Sequence, residues 1–124
     1  MCQIALSCAD ISSCSKFIAF CGRAESHDDA TRFVKALKHR VRKVNVATHN
    51  IMAYQLKGGE AFRDDDGEGG AGDRLLQLLG NLRVYNVVVV VTRWYGGIQL
   101  GPDRFKHISN CAKDILIENR EKFD

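Results

Sequence analysis

The chain has 124 residues, of which 45% are hydrophobic and 27% charged, and a formal net charge of +3. That length fits one domain with a single core, and the balance excludes a disordered or fibrous chain. The charge is too small for a strongly cationic nucleic-acid arm, and no apolar run approaches the ~20 residues of a membrane helix.

In chain order, Ile4–Cys8 and Lys16–Arg23 are short, apolar and partly alternating, which predicts two strands paired as a hairpin through Asp10–Ser15. Ser26 followed by Asp29 reads as a variant capping box. Ala30, Phe33, Val34, Leu37 and Val41 then fall at helical spacing. The opposite side of that helix carries Arg32, Lys35, Lys38, His39, Arg40, Arg42 and Lys43, for which a solvated face is the common explanation and an anion-binding face the alternative.

His49–Leu56 predicts a third strand, closed by Lys57-Gly58-Gly59. Phe62–Arg74 is acidic and glycine-rich and reads as one long loop outside the core. Leu75, Leu76, Leu78, Leu79 and Leu82 mark a short buried helix with Gly80 as its terminator. Tyr85–Thr92, with five consecutive valines, predicts a central strand. Gly101-Pro102-Asp103 opens a last helix, with Phe105, Ile108, Ala112, Ile115 and Leu116 as its apolar stripe.

Chemistry is sparse. Cys2, Cys8, Cys14, Cys21 and Cys111 are odd in number and form no C-x-x-C pair, so free thiols in a cytoplasmic protein are expected and structural zinc is not. Asp64, Asp66 and Glu68 alternate as in the first half of a calcium loop, but the twelfth position is Leu75. No metal or cofactor is expected. No nucleophile elbow occurs, and His49, Asp65 and Arg93 have no spacing that makes them a triad, so no catalytic residue is assigned.

Arg93-Trp94-Tyr95-Gly96-Gly97 leaves the valine strand and leads to a helix start, a geometry that suits an anion. It lacks the Lys-Ser/Thr of a P-loop, and its glycines miss the dinucleotide pattern. An arginine beside two aromatics suits a protein-contact surface, and a capped core with a glycine turn explains it equally well.

Taken together, THN-x-x-AY at Thr48–Tyr54, DDGE at Asp65–Glu68, G-x-x-LL from Gly72 and VVTRWYGGIQLG ending at Gly101 resemble the Impact family over roughly Lys16–Leu116. The continuation Pro102-Asp103-Arg104-Phe105-Lys106-His107 favours its eukaryotic branch. The resemblance implies an α+β fold like the second domain of the fifth small-subunit ribosomal protein, with a four-stranded sheet backed by helices and a left-handed βαβ crossover. It implies a single Impact-type domain over residues 1–124, without the RWD domain ahead of it or the ferredoxin-like domain behind it that relatives carry.

In function it implies a translational regulator that binds proteins. Such a regulator competes for the ribosome-associated scaffold that activates the amino-acid-starvation kinase of initiation factor two alpha, and it also binds actin and ribosomes. RNA or ribosome binding is the alternative role, followed by an enzyme acting on a phosphorylated small molecule. The expected contact surface comprises Arg93, Trp94, Tyr95, Gly96, Gly97, Gly101, Asp103, Arg104, Lys106 and His107. The family-motif positions are His49, Asn50, Tyr54, Asp65, Asp66, Gly67 and Glu68.

Overall fold

The computed structural model describes residues 5–12, 15–96 and 101–120, with side chains from Lys16 onward. In chain order the elements are β1 (Ala5–Ser12), β2 (Ser15–Arg23), α1 (His27–Arg40), α2 (Arg42–Asn45), β3 (His49–Gln55), β4 (Ala61–Asp64), α3 (Ala71–Leu82), β5 (Val87–Trp94) and α4 (Asp103–Glu118). The strands form one sheet in the order β1-β2-β5-β3-β4, antiparallel at every pairing.

β5 lies at the centre, and its valines are fully buried because helices cover both faces. Val87, Val89 and Val91 pack with Phe17, Ile51, Leu75, Leu79, Ile108 and Ile115 under α3 and α4. Val88 and Val90 pack with Phe20, Met52, Tyr54, Phe33 and Leu37 under α1. The strand thus feeds two cores through its period-two alternation.

β2 and β3 both pair antiparallel with β5, so they run parallel to each other with β5 between them. β4 is antiparallel to β3 and therefore parallel to β5, with β3 between. The chain makes two crossovers, from β2 through α1 to β3 and from β4 through α3 to β5. Turning one by half a revolution about the sheet normal superposes strand direction and lateral step, yet α1 and α3 still cover opposite faces. The two crossovers have opposite hands, and one of them is left-handed, against the usual right-handed rule.

The four expected strands are present, and a fifth is added. Ala61–Asp64, read from the sequence as loop, pairs with Gln55–Met52 as an edge strand. All four of its residues are exposed, so it shows no apolar alternation. Gly80 lies inside α3 and does not end it. The helix stops at Arg83, which adopts a left-handed conformation (φ 55°). Asn86 (φ 58°) turns the chain again, which shifts the start of β5 from Tyr85 to Val87. α1 is capped as expected, with the Asp29 amide donating to Ser26 Oγ.

Tyr54 is 1% exposed, with its hydroxyl 2.9 Å from His27 Nδ1 and its ring stacked on Phe62. Burial raises its pKa above the ordinary 10.0, and the nearby charge of Glu60 adds to the rise. The folded value exceeds the unfolded one, so this contribution to stability is complete below pH ~10 and is lost as pH rises through the raised value. In an alkaline absorbance titration, Tyr54→Phe is expected to delete one late phenolate step and to reduce the fall in stability that accompanies it. An unchanged titration would refute the assignment.

Candidate functional site

The motif residues converge at one end of β3 and β5, where His49 pairs with Arg93 and Asn50 with Thr92. Alternation sends His49 and Arg93 towards α4, and Asn50, Thr92 and Trp94 towards the α1–α2 side.

The turn Asp65–Glu68 closes over this end, with the Glu68 amide donating to the Asp65 carbonyl at 2.9 Å. Its central residues, Asp66 (φ 46°) and Gly67 (φ 88°), both have positive φ, the conformation of a type I′ turn. A side chain at position 67 would be strained, and its Cβ would stand 3.2 Å from the His49 ring. The Asp65 carboxylate accepts from the amides of Gly72 (2.6 Å) and Gly70 (3.2 Å) and so caps the start of α3. Asp66 Oδ2 accepts from the Asn50 amide at 2.7 Å. Asp64 Oδ1 accepts from the Asp66 amide. Of the acidic side chains that suggested a calcium loop, Asp64 and Asp66 accept from backbone amides, and Glu68 is held by arginines.

Glu68 is the centre of the arrangement. Only 5% exposed, it receives Arg93 Nη1 at 2.5 Å and Arg104 Nε at 2.6 Å, with His49 Nε2 3.7 Å away. His49 is held from its other side by a 2.7 Å contact between Nδ1 and the Asp66 carbonyl, in which the ring nitrogen donates. Arginines meet both oxygens of this deeply buried carboxylate, Arg93 at Oε2 and Arg104 at Oε1, so its burial comes with charge-assisted hydrogen bonds. The network ties the β3 start, the turn, the β5 end and the first turn of α4 together.

Arg93 is itself 4% exposed, with the Phe17 ring 5.5 Å and the Tyr95 ring 5.7 Å from its guanidinium carbon. This corrects the expectation that Arg93 forms part of a contact surface: it is an internal counter-ion to Glu68. Arg104, expected at the same surface, is also turned inward, donating to Glu68 and to the Gly101 carbonyl. His107 stacks on Phe17 at 5.4 Å.

What the region shows to solvent is Tyr95, 48% exposed, with Asp103 and Lys106. Trp94 is half-buried. Its indole N–H donates to the Lys43 carbonyl, and Lys16 lies over its ring. Gly96 follows Tyr95 at the end of the described segment, Gly101 (φ 62°) precedes α4, and Gly97 lies outside the described residues. Tyr54, grouped with the motif residues by sequence, lies at the far end of β3 and takes no part in the network.

On the other face, Asn50 is 8% exposed and bridges two elements. Its Nδ2 donates to the Val44 carbonyl of α2 (2.9 Å), and its Oδ1 accepts from Thr92 Oγ1 (2.9 Å). The role of Asn50 as a link to α2 was not readable from spacing, because α2 is a single turn that the helical periodicity of α1 conceals.

The sheet order and the opposed crossovers fit an α+β domain of the type found in the second domain of the fifth small-subunit ribosomal protein. A solved hypothetical protein shares this fold with a TM-score of 0.74 at 22% identity, covering 98% of this chain and 58% of that one. The Impact N-terminal domain family matches residues 13–116, and the chain belongs to that family.

It is 53% identical over 95 residues to Protein IMPACT of Rattus norvegicus, covering 73% of this chain and 30% of the relative. With Protein IMPACT of Danio rerio the identity is 58% over 82 residues, covering 62% of this chain and 26% of the relative. The chain therefore spans less than a third of the length of these two relatives. The solved two-domain translational regulator Yih1 is similar at 36% identity and a TM-score of 0.63, with 93% of this chain and 46% of that one covered.

Proposed function

We propose that this chain serves as a protein-binding domain in a cytoplasmic translational regulator and carries out no catalytic step. In this reading it limits activation of the amino-acid-starvation kinase of initiation factor two alpha by competing for the kinase's ribosome-associated scaffold, with actin as a second partner. The observation that carries the proposal is the similarity to the translational regulator Yih1 over 93% of this chain.

The internal chemistry agrees with a binding role. Arg93, Arg104 and His49 converge on Glu68 and hold the frame, while Tyr95, Asp103 and Lys106 stand at the surface. An aromatic beside charges of both signs suits a protein interface, in which Tyr is enriched.

The test is a translation extract starved of amino acids, to which the purified chain is added. Phosphorylation of initiation factor two alpha is expected to fall with increasing chain, and immobilised chain is expected to retain the scaffold. Tyr95→Ala combined with Lys106→Ala should weaken retention by about tenfold with the circular dichroism spectrum unchanged. Undiminished phosphorylation at saturating chain would overturn the proposal.

A further inference from the structure

The C-terminal part of α1 and the single turn of α2 with the residue after it line an open cleft of about 650 Å³, formed by Lys35, Lys38, His39, Arg42, Asn45 and Val46. Among the described residues no acidic side chain lines it. Among the described ion pairs none involves Lys35, Lys38 or Arg42. Asp64 and Asp66 line an adjoining cleft that shares Lys35 and Lys38, but neither is paired with those lysines. At the mouth stands Val46, 77% exposed, a large apolar side chain with no core to join.

We infer that this cleft is a docking site for an acidic peptide segment of a partner protein, one whose carboxylates flank a single apolar side chain. Lys35 and Lys38 stand at i and i+3 on α1, and Arg42, beyond the extended Val41, opens α2, so the two helices bring three cations to one cleft. A cluster of cations without a described ion pair selects an anionic partner by electrostatic complementarity. Val46 then decides between anion classes. Nucleic acid would be expected to use aromatic side chains on which bases stack, and none lines the cleft among the described residues. An exposed valine in the same cleft as the cations fits an aliphatic side chain beside carboxylates. The inference does not depend on the translational role proposed above, because its test contains no component of that pathway.

The probe is a fluorescein-labelled synthetic helical peptide with glutamates at i, i+3 and i+7 around one leucine, titrated with the intact chain and read by anisotropy. Binding is expected to weaken by about tenfold in a Lys35→Glu, Lys38→Glu, Arg42→Glu variant and by about threefold in Val46→Ser. The Leu→Ser peptide should lose affinity to a similar extent as the Val46→Ser variant. All three cations lie at least partly in solvent, and circular dichroism and the thermal midpoint identify folded variants. If the triple variant is unfolded, Val46→Ser and the altered peptide decide the matter alone. The inference is overturned if the peptide does not bind, if folded variants bind it unchanged, or if a single-stranded oligonucleotide of equal charge binds more tightly at about 0.15 M salt.

Discussion

Glu68→Gln is expected to lower stability by about 3–5 kcal/mol and the thermal midpoint by about 10–20 °C. The substitution keeps the shape of the side chain and removes its charge. Arg93 is left with a buried guanidinium and no counter-ion, since its side chain is 5% exposed and cannot turn to water. Arg104, whose side chain is 28% exposed, can re-solvate and should contribute less to the loss. The measurement is urea unfolding followed by circular dichroism, with Arg93→Met, Glu68→Leu and their combination completing a double-mutant cycle.

The double variant should be more stable than either single one, because replacing both members of a buried pair removes the orphaned charge that each single change creates. Strictly additive losses around the cycle, or a Glu68→Gln variant within about 1 kcal/mol of the parent, would show that the pair does not hold this end of the sheet. The same variants bear on function. If Tyr95 and Lys106 are presented to a partner by the frame beneath them, folded lock variants should lose binding without loss of any contacting side chain.

Legibility in the sequence followed the range of the interactions. The amphipathic spacing of α1 and α4 and the valine run of β5 encode burial locally, and these elements were readable with their faces. β4 was not, because it is an exposed edge whose pairing to β3 is supplied by backbone hydrogen bonds that leave no side-chain pattern. The burial of Glu68 was hidden for a different reason. In sequence it sits in an acidic, glycine-rich stretch, and the arginine that neutralises it lies 25 residues away.

Arg93 was misread for the complementary reason. Next to Trp94 and Tyr95 in the chain it resembles a surface hot spot, but strand alternation separates it from Trp94 and turns it towards α4. Family motifs placed both residues in one group without indicating that they pair. The handedness of the crossovers likewise needed the sheet order and the assignment of helices to faces, which no spacing carries.

Asn50→Ala is expected to cost about 1–3 kcal/mol, the second largest effect at this site. The change leaves the hydroxyl of fully buried Thr92 without its acceptor and takes one of two donors from the Val44 carbonyl, which keeps the Ala47 amide. Thr92→Val should cost less in the Asn50→Ala background than in the parent, because the hydroxyl it removes is already without its acceptor. A local signature should accompany the global loss. The Asn50–Val44 bond anchors α2 to β3, and the Lys43 carbonyl beside it holds the indole of Trp94, the one tryptophan in the chain. Loosening α2 should therefore shift Trp94 emission to the red under native conditions and accelerate amide exchange at Val44 and Ala47, whose amides donate to the carbonyls of Val41 and Val44. Unaltered emission and exchange in a destabilised Asn50→Ala variant would place the loss elsewhere in the core. Because Arg42, Asn45 and Val46 of the basic cleft ride on this turn, the same variant should weaken acidic-peptide binding although no residue lining that cleft is substituted.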